Sequence, residues 1–580
     1  MKKRILFLSA IILFDIVTQS CTKVLSRKPL DTISDDIVWD DPNMVAGYVT
    51  ELYSKLPLFA FEYGKWYNWT DEASTSTDNS NDATQGSMSK SVEVAPYFDY
   101  TYIRNCNVFF QRIETSTISE GIKNQLKGEV HFIRAFSYFE MMKRYGGVPL
   151  VDSVLDPYGE IDGRYTVRTS EEAVADFIDA ETTLAADLLS ETPTPKGRAN
   201  KSTAFALKAR AMLWAASIAR YGTMSLNGIV GIPSEKATDY YAKASAASDA
   251  IINSGHYALY NGKPDNKSEN YRELFLVKEN SEIIFEKAYD GTNIGHSWDA
   301  WHGPNQWATR GGTGDPTLDF ILAYENIDGS TDQPEFGPGK LYSDGAEPFI
   351  KKDPRLFATV FFQGDPWADG KVQSYEGVDP SPAPTPSAVI RNPTSSYMNV
   401  PAVGADSRSL TKDDFSTNTG FHIKKYIDGS GVKIAENQSK TNWIVFRLAE
   451  VYLTKAEAEF ELGNKGVAAD ALNETRSRAG ISLVDEGTIT RDKVRTERRS
   501  ELAFEEQRWW DLRRWRIAES VLNGRFQGLQ IIFHYESGKY YFIPFDAESF
   551  SRVFRPEHYY NSITTARINN NPMLVENPLY

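Results

Sequence analysis

The sequence is poor in cysteine and histidine, with only two and seven of them among 580 residues. The two cysteines, Cys21 and Cys106, cannot form the disulfide framework that stabilises many small exported domains. No Cys/His cluster has the spacing of a zinc site, and His296 and His302 lie six residues apart in a loop-like region. The sequence therefore predicts neither a disulfide scaffold nor a metal centre.

Basic residues are also in deficit, because 63 Lys and Arg face 78 Asp and Glu and give a formal net charge of −15. A nucleic-acid-binding groove requires clustered positive charge, so we exclude nucleic acid as a partner. The chain also lacks a P-loop, a dinucleotide-binding fingerprint, an HExxH motif and a GxSxG nucleophile elbow. We therefore expect no cofactor.

Carboxylate pairs are the remaining route to catalysis, since two carboxyl groups can hydrolyse a glycosidic bond. Asp71 with Glu72, and Glu282 with Glu286, are pairs of this kind. With 78 acidic residues, however, such pairs arise by chance, and the sequence gives no carboxylate separation. We predict that the protein is not an enzyme.

The N-terminus has the features of a signal peptide, with a basic start, an apolar run at 5–17 and small residues before Cys21. The run is too short to span a bilayer, which takes about 20 apolar residues. A cysteine at the first mature position resembles the lipid-bearing cysteine of bacterial lipoproteins, although Thr18 stands where leucine is usual. The alternative is ordinary secretion with an incidental cysteine. We predict a signal peptide at 1–20 and a lipid-anchored tether at 21–40.

Aromatic residues are abundant, and the tryptophans are unusually placed. Trp298, Trp301 and Trp307 lie within ten residues, among polar neighbours that include Asn305 and Arg310. An exposed indole can cover the apolar face of a sugar ring, while planar amide, carboxylate or guanidinium groups bind its hydroxyls. This pattern predicts a sugar-binding loop. The alternative is that the rings attach long loops to the helical scaffold.

A second set of the same type lies earlier in the chain. Trp66 and Trp69 are flanked by Asn68 and Asp71, followed by a Ser/Thr/Asn/Asp-rich stretch. We predict that the two sets together form the ligand-binding surface. The predicted site residues are Trp298, Trp301, Trp307, Trp66, Trp69, Asp71, Asn305 and Arg310.

Helical periodicity dominates both ends of the chain, so we predict a mainly α fold. Between 256 and 440 the chain is instead dense in Gly, Pro, Asn and Asp, which indicates a loop-rich segment. Ala456 and Phe460 match a fragment of the tetratricopeptide signature. The predicted helices are about 43–56, 119–145, 170–190, 202–220, 235–254, 444–462, 466–479 and 490–520.

The densest charge run is Glu497–Arg516. On one long helix, its Arg498, Glu501, Glu505 and Arg508 would share a face, so that opposite charges could pair. The run could clamp an anionic ligand, but we favour an ion-pair lattice that fixes the C-terminal helix to its neighbours.

Six segments resemble the SusD/RagB family of outer-membrane lipoproteins, and together they extend over nearly the whole mature chain. The C-terminal segment departs from the family pattern at Glu576 and Leu579. The segments are GEVHFIRAFSYF (128–139) leading to YGGVPL (145–150), KDPRL (352–356), FRLAEVYLTKAEA (446–458), NETRSRAG (473–480), ERRSELAFEEQRWWDLRRW (497–515) and NPMLVENPLY (571–580).

The resemblance implies a single domain at 41–580, built on a right-handed helical scaffold of four tetratricopeptide-like helix pairs. The scaffold would occupy about 41–260 and 440–525, with a loop-rich lobe carrying little β structure at about 261–440 and a C-terminal tail at 526–580. In the family, loops equivalent to 60–100 and 290–310 usually supply an aromatic platform for the ligand.

The resemblance also implies a location and a partner. The protein would be surface-exposed on the outer membrane, anchored through a lipid on Cys21. It would act as the hinged lid of a SusC-like TonB-dependent transporter and capture oligosaccharide or polysaccharide. The alternative is a RagB-like lid that captures peptide, with the tryptophans packed internally.

Overall fold

The structure is a computed structural model that describes residues 35–58, 61, 65–75, 81–156, 158–159, 161–192, 197–408 and 416–580. The predicted signal peptide, Cys21 and most of the predicted tether lie outside the described residues.

The described part of the chain is mostly helical, as predicted. The helices of eight or more residues are α1 (Pro42–Ser54), α2 (Tyr100–Ile113), α3 (Glu120–Tyr145), α4 (Glu171–Leu188), α5 (Lys201–Tyr221), α6 (Ala237–Ser254), α7 (Lys267–Leu274), α8 (Leu448–Leu462), α9 (Lys465–Ala479) and α10 (Arg491–Glu501). The shorter helices are Asp35–Asp40, Lys65–Asn68, Trp298–Trp301, Leu318–Leu322, Pro354–Thr359, Arg508–Arg514, Ala518–Leu522 and Thr565–Asn570.

The helix ends follow local chemistry. Ser170, the predicted cap of α4, accepts a hydrogen bond from the Ala173 amide at 3.1 Å. Asn200 begins α5 with a reciprocal capping box. Gly255 and Gly463 end α6 and α8 in the left-handed conformation, which glycine adopts without steric cost. These boundaries explain why periodicity and capping residues located the helices to within a few positions.

The long helices pack in sequence order, with α3 on α4, α4 on α5 and α5 on α6. Helix α6 then packs on α8, although almost 200 residues separate them, and α8 packs on α9. The segment between α6 and α8 is therefore inserted into a continuous run of packed helices.

The strands form small sheets. Strand β1 (Ile283–Lys287) pairs antiparallel with β2 (Trp443–Arg447), and β3 (Gln527–His534) pairs antiparallel with β4 (Lys539–Asp546) over eight residues each. Two-residue strands complete the set at Ala73–Ser74, Asp315–Pro316, Val360–Phe361, Pro366–Trp367, Gly370–Lys371, Val378–Asp379, Ser396–Tyr397, Val400–Pro401 and His422–Ile423.

Two predicted helices were wrong, one at its start and the other in its continuity. The helix predicted at 444–462 begins at Leu448, because the run WIVFR before it is wholly buried and pairs as strand β2. The helix predicted at 490–520 is three shorter helices. The left-handed backbone at Phe504 (φ 58°) and Glu506 (φ 62°) interrupts it after α10.

The buried apolar side chains form one main cluster, which extends from Trp39 to Leu574 and includes residues of the helices, the loop-rich segment and the C-terminal segment. A smaller cluster lies between α8, α9 and α10. Among the described helices, none combines the length and hydrophobicity that crossing a membrane would require.

Candidate functional site

Trp298 is a core residue, only 3% exposed. Its indole nitrogen donates to the Lys425 carbonyl at 2.9 Å, and its ring packs against Phe61, Tyr67 and His302. These contacts fix the short helix Trp298–Trp301 to the interior. The surface position predicted for Trp298 was therefore wrong, because polar neighbours in sequence did not reveal the rings that cover it.

Trp66 and Trp69 are also buried, at 5% and 7% exposure. Their rings lie 4.9 Å apart, and they contact Trp510 and Trp509 respectively, from the C-terminal charge run. The surface position predicted for both was wrong. They are the rings that attach a loop to the scaffold, which was the alternative interpretation.

Asp71 is 3% exposed and belongs to the ion-pair lattice. Its carboxylate accepts two hydrogen bonds of 2.8 Å from Arg508, and Arg499 lies 2.7 Å from one of its oxygens. Burial alone would raise the pKa of Asp71, but the two guanidinium groups outweigh it and hold the pKa below its ordinary value. This saturated carboxylate is not positioned on a ligand-binding surface.

The charge run forms the predicted lattice, although not on one helical face. Glu501 is fully buried and forms ion pairs with Arg355, Arg447 and Arg478. Glu282 forms ion pairs with Arg447 at 2.9 Å and with Arg478 at 2.6 Å. Glu282 is therefore a structural carboxylate, joined to the lattice from strand β1's N-terminal end.

A surface pocket, here called the tryptophan pocket, lies beside the Trp298–Trp301 helix. Trp307 and Trp367 both line it, together with Pro304, Ile427 and Val432. Its cavity volume is only about 10 Å³, and about 280 Å³ when the open space at its mouth is included, so a ligand would lie across the mouth of the pocket. Both tryptophans are partly exposed, so the pocket presents apolar ring surface to solvent.

Each tryptophan of the pocket is held by specific contacts. The Trp307 indole nitrogen donates to Asp369 at 3.2 Å, and a side chain at Gly370 would contact the Trp307 ring. The Trp367 ring lies 4.7 Å from the Phe361 ring and 4.9 Å from the Arg272 guanidinium. Asp369 and Gly370 belong to the tight hairpin that carries Trp367. The two rings are thus oriented before any ligand arrives.

Two buried polar side chains also line the pocket. Asp299 accepts a hydrogen bond from the Asp428 amide at 2.7 Å through Oδ1, while its Oδ2 has no partner among the described residues. His302 hydrogen-bonds to the Tyr67 hydroxyl at 2.7 Å through Nε2, and its Nδ1 has no partner in the same part of the chain. Burial raises the pKa of Asp299 and lowers the pKa of His302 to about 3. His302 is therefore neutral at pH 7.

The remaining predicted site residues lie close by in sequence. Trp301 and Asn305 are partly exposed, and Arg310 is exposed and forms an ion pair with Glu436. The Arg310 amide donates to the Ala300 carbonyl at 2.7 Å, which brings the end of the loop back to the short helix. Of the eight predicted residues, the structure leaves Trp301, Trp307, Asn305 and Arg310 accessible.

Sequence reasoning missed Trp367 and Asp369. The run GDPWADG places a tryptophan among Gly, Pro and Asp, which is the criterion that selected Trp307. Asp299 was not among the predicted site residues either. Within the described ranges, no group of three or more His, Cys, Asp or Glu side chains is arranged to hold a metal ion.

Comparisons with known proteins give one consistent family. A model described as SusD family matches residues 281–580, and one described as starch-binding associating with outer membrane matches residues 34–213. A SusD-like protein of Bacteroides ovatus is 25% identical over 493 residues, which are 79% of this chain and 73% of the relative.

Solved structures agree. A SusD-like protein from Bacteroides fragilis NCTC 9343 is 28% identical, with a TM-score of 0.71 over 96% of this chain and 100% of that chain. A SusD-like carbohydrate-binding protein from the same strain is 22% identical, with a TM-score of 0.67 over 93% of this chain and 100% of that chain. Since the first family model covers more than half of the sequence, the chain belongs to the SusD family.

Proposed function

We propose that the protein is a cell-surface glycan-binding lipoprotein. It captures oligosaccharide or polysaccharide and delivers it to a SusC-like TonB-dependent transporter, without catalysis. Cys21 carries the lipid that anchors it to the outer membrane. Glycan binding is supported by the family description that names starch and by the carbohydrate-binding structural relative.

The observation that carries glycan binding is the make-up of the tryptophan pocket. Two oriented indole rings, Trp307 and Trp367, stand beside two buried polar atoms, Asp299 Oδ2 and His302 Nδ1, that lack partners among the described residues. A sugar unit offers an apolar C–H face to the rings and hydroxyls to the polar atoms. Ligand pockets commonly combine apolar walls with a few convergent polar groups in this way.

We propose that Asn305, Arg310 and Trp301 extend this surface beyond the pocket. Oligosaccharides are longer than one sugar unit, and these three residues lie within a ten-residue stretch that also contains Trp307. The ion pair between Arg310 and Glu436 is exposed to solvent. Because exposed ion pairs are weak, a sugar hydroxyl can compete with Glu436 for the Arg310 guanidinium.

We also propose a single domain at 41–580, as the sequence predicts, and we assign its four tetratricopeptide-like repeats to the helix pairs α1/α2, α3/α4, α5/α6 and α8/α9. The contact within each pair supports this proposal. So does the packing of α6 on α8, which places the loop-rich lobe between the third and fourth pairs.

Affinity electrophoresis of the mature protein against a polysaccharide panel, with a peptide library as control, tests the function. We expect at least one polysaccharide to retard migration, and Trp307→Ala to remove the retardation. The matched control is Trp515→Phe. It replaces a tryptophan that is buried in the core and cannot contact ligand. Peptide capture with no retardation by any polysaccharide would instead favour the peptide-binding alternative.

A further inference from the structure

A second cleft, here called the tyrosine cleft, shares no lining residue with the tryptophan pocket. It is lined by the end of helix α5, the turn at 223–230, and C-terminal segments at 516–519, 556–560 and 577–579. Its cavity volume is about 460 Å³, which lies within the range of ligand-binding clefts. The proposed function assigns it no role.

Aromatic rings and one guanidinium group form the middle of the cleft. The guanidinium carbon of Arg516 lies 4.6 Å from the ring centre of Tyr559 and 4.8 Å from that of Tyr560. Arg516 donates to the Tyr560 hydroxyl at 2.7 Å and to the Arg513 carbonyl at 3.2 Å. The Tyr560 hydroxyl in turn donates to the buried Glu171 carboxylate at 2.8 Å, so it links Arg516 to an opposite charge without a direct ion pair. Since a guanidinium carries five N–H donors, Arg516 retains donors for a ligand.

The cleft also supplies acceptors. Asn577 is 3% exposed, and its amide nitrogen donates to the Asn561 carbonyl at 2.7 Å and to the Tyr145 carbonyl at 3.2 Å. Its Oδ1 has no partner in the described part of the chain, although buried polar atoms are almost always paired. Glu519 and Glu557 add carboxylates to the same lining.

The walls of the cleft are fixed by the fold. Tyr221 donates its hydroxyl to Glu461 at 2.7 Å, and Ser225 and Val230 exchange backbone hydrogen bonds across the turn. Arg516 and Leu579, which both line the cleft, have left-handed backbone conformations with φ of 55° and 74°. Such conformations are unfavourable for these residue types and concentrate at functional sites.

We infer that the tyrosine cleft is a second ligand-binding site, and that its ligand is a neutral oligosaccharide. An anionic ligand would meet the carboxylates of Glu519 and Glu557, and a cationic ligand would meet Arg516. Hydroxyl groups both donate and accept, so they can satisfy the guanidinium and the Asn577 oxygen at once. The partly exposed rings of Tyr221 and Tyr559 and the exposed Leu579 side chain provide the apolar surface that a pyranose face requires.

Carbene footprinting with mass spectrometry tests this inference on the mature protein. The probes are maltohexaose, cellohexaose, laminarihexaose, xylohexaose and mannohexaose, with hexagalacturonate as the anionic comparison. We expect at least one neutral hexasaccharide to reduce labelling of the peptides containing 556–560 and 577–579 at least twofold. Tyr559→Ala should remove that protection, and so should Glu519→Ala, an exposed substitution that leaves the core untouched.

Trp307→Ala separates this inference from the proposed function. The variant should lose any protection of the 300–310 peptide and keep the protection of the tyrosine cleft. Loss of both would mean that the cleft responds only to the tryptophan pocket, and would overturn the inference. It would also be overturned if none of the neutral probes protected the cleft, or if hexagalacturonate alone did. Failure of the proposed function would instead show as an unprotected 300–310 peptide.

Discussion

Arg508 and Asp71 are joined by two hydrogen bonds of 2.8 Å across 437 positions of sequence. The Asp71 backbone carbonyl also accepts from the Thr317 hydroxyl at 2.8 Å, so one residue connects three distant segments. The segment containing Trp66 and Trp69 is thereby fixed to the C-terminal lattice. A residue first predicted to bind ligand instead holds the scaffold together.

Replacing Asp71 by asparagine should destabilise the protein strongly. The variant leaves the guanidinium groups of Arg508 and Arg499 buried without their counter-charge, and breaking a buried pair in this way costs about 3–5 kcal/mol. Urea unfolding at pH 7 measures the loss. The matched control is Asp546→Asn, which breaks an exposed pair with Arg525 and should cost less than about 1 kcal/mol. Equal losses for the two variants would contradict the structural role of Asp71.

Glu72 should make stability depend on pH near neutrality. Burial, and then repulsion by Asp71, raises the pKa of Glu72 from 4.5 to about 7 in the folded protein. Between these two values the folded state holds a proton that the unfolded state releases. The stability contributed by Glu72 is therefore complete below about pH 4.5 and is lost as the pH rises to about 7.

The variant Glu72→Gln isolates this contribution, because glutamine cannot ionise. Its oxygen can accept from the Phe504 amide, as a Glu72 carboxyl oxygen does at 3.2 Å. The stability of the variant relative to wild type should increase between pH 5 and pH 8, by on the order of 3 kcal/mol. Chemical denaturation at several pH values gives both curves. If the stabilities of wild type and Glu72→Gln changed in parallel between pH 5 and pH 8, Glu72 would be ionised in the folded protein over this range, which would contradict its raised pKa.

Two tryptophans nine residues apart should respond oppositely to truncation. Trp298→Ala removes a buried ring with four aromatic neighbours and should cost about 3–5 kcal/mol of folding stability. Trp307→Ala removes a partly exposed ring and should cost at most about 1 kcal/mol, while weakening glycan binding about tenfold. Thermal unfolding and calorimetric titration with a retarding polysaccharide measure the two effects. Unfolding of both variants, or full affinity in Trp307→Ala, would refute the assignment.

The same pair of residues shows how far the sequence could predict the site. Trp298 and Trp307 have similar neighbours in sequence, so composition selected both. Their different burial depends on residues distant in sequence. The Trp298 indole donates to the Lys425 carbonyl in the interior, whereas the Trp307 indole donates to Asp369 in the hairpin at 366–371. Spacing within a loop contains no information on such contacts.

The fold was predictable where local signals agree. Helices α3 to α6 have apolar periodicity, α4 and α5 also have side-chain N-caps, and the predicted bounds of all four agree with the structure to within two residues. Helix α2 was missed, because its run of Tyr, Phe and Ile favours strands as much as helices. Strands β3 and β4 lie in the predicted tail and are defined by their pairing, since β3 pairs antiparallel with β4 and also in parallel with Val378–Asp379. Long-range pairing decided the elements that local signals did not.

Gly147, in the YGGVPL segment, should be the glycine least tolerant of change at the end of helix α3. A Cβ atom there would lie 2.0 Å from the Thr169 carbonyl oxygen and 2.9 Å from the Ile229 carbonyl oxygen. The Gly147 amide already donates to Ile229 at 2.7 Å, and its carbonyl accepts from Arg168 at 2.7 Å, so the backbone cannot move without losing these bonds. Gly147→Ala should therefore lower the free energy of unfolding by about 1–3 kcal/mol or more.

Gly121, in the first turn of the same helix, provides the matched control. A Cβ atom there would contact nothing within 4 Å, and alanine loses less backbone entropy than glycine when a helix forms. Gly121→Ala should leave stability unchanged or raise it by about 0.5 kcal/mol. Urea unfolding of both variants measures the difference. If Gly147→Ala were as stable as Gly121→Ala, the close approach of the chain at the end of α3 would not be a constraint on the fold.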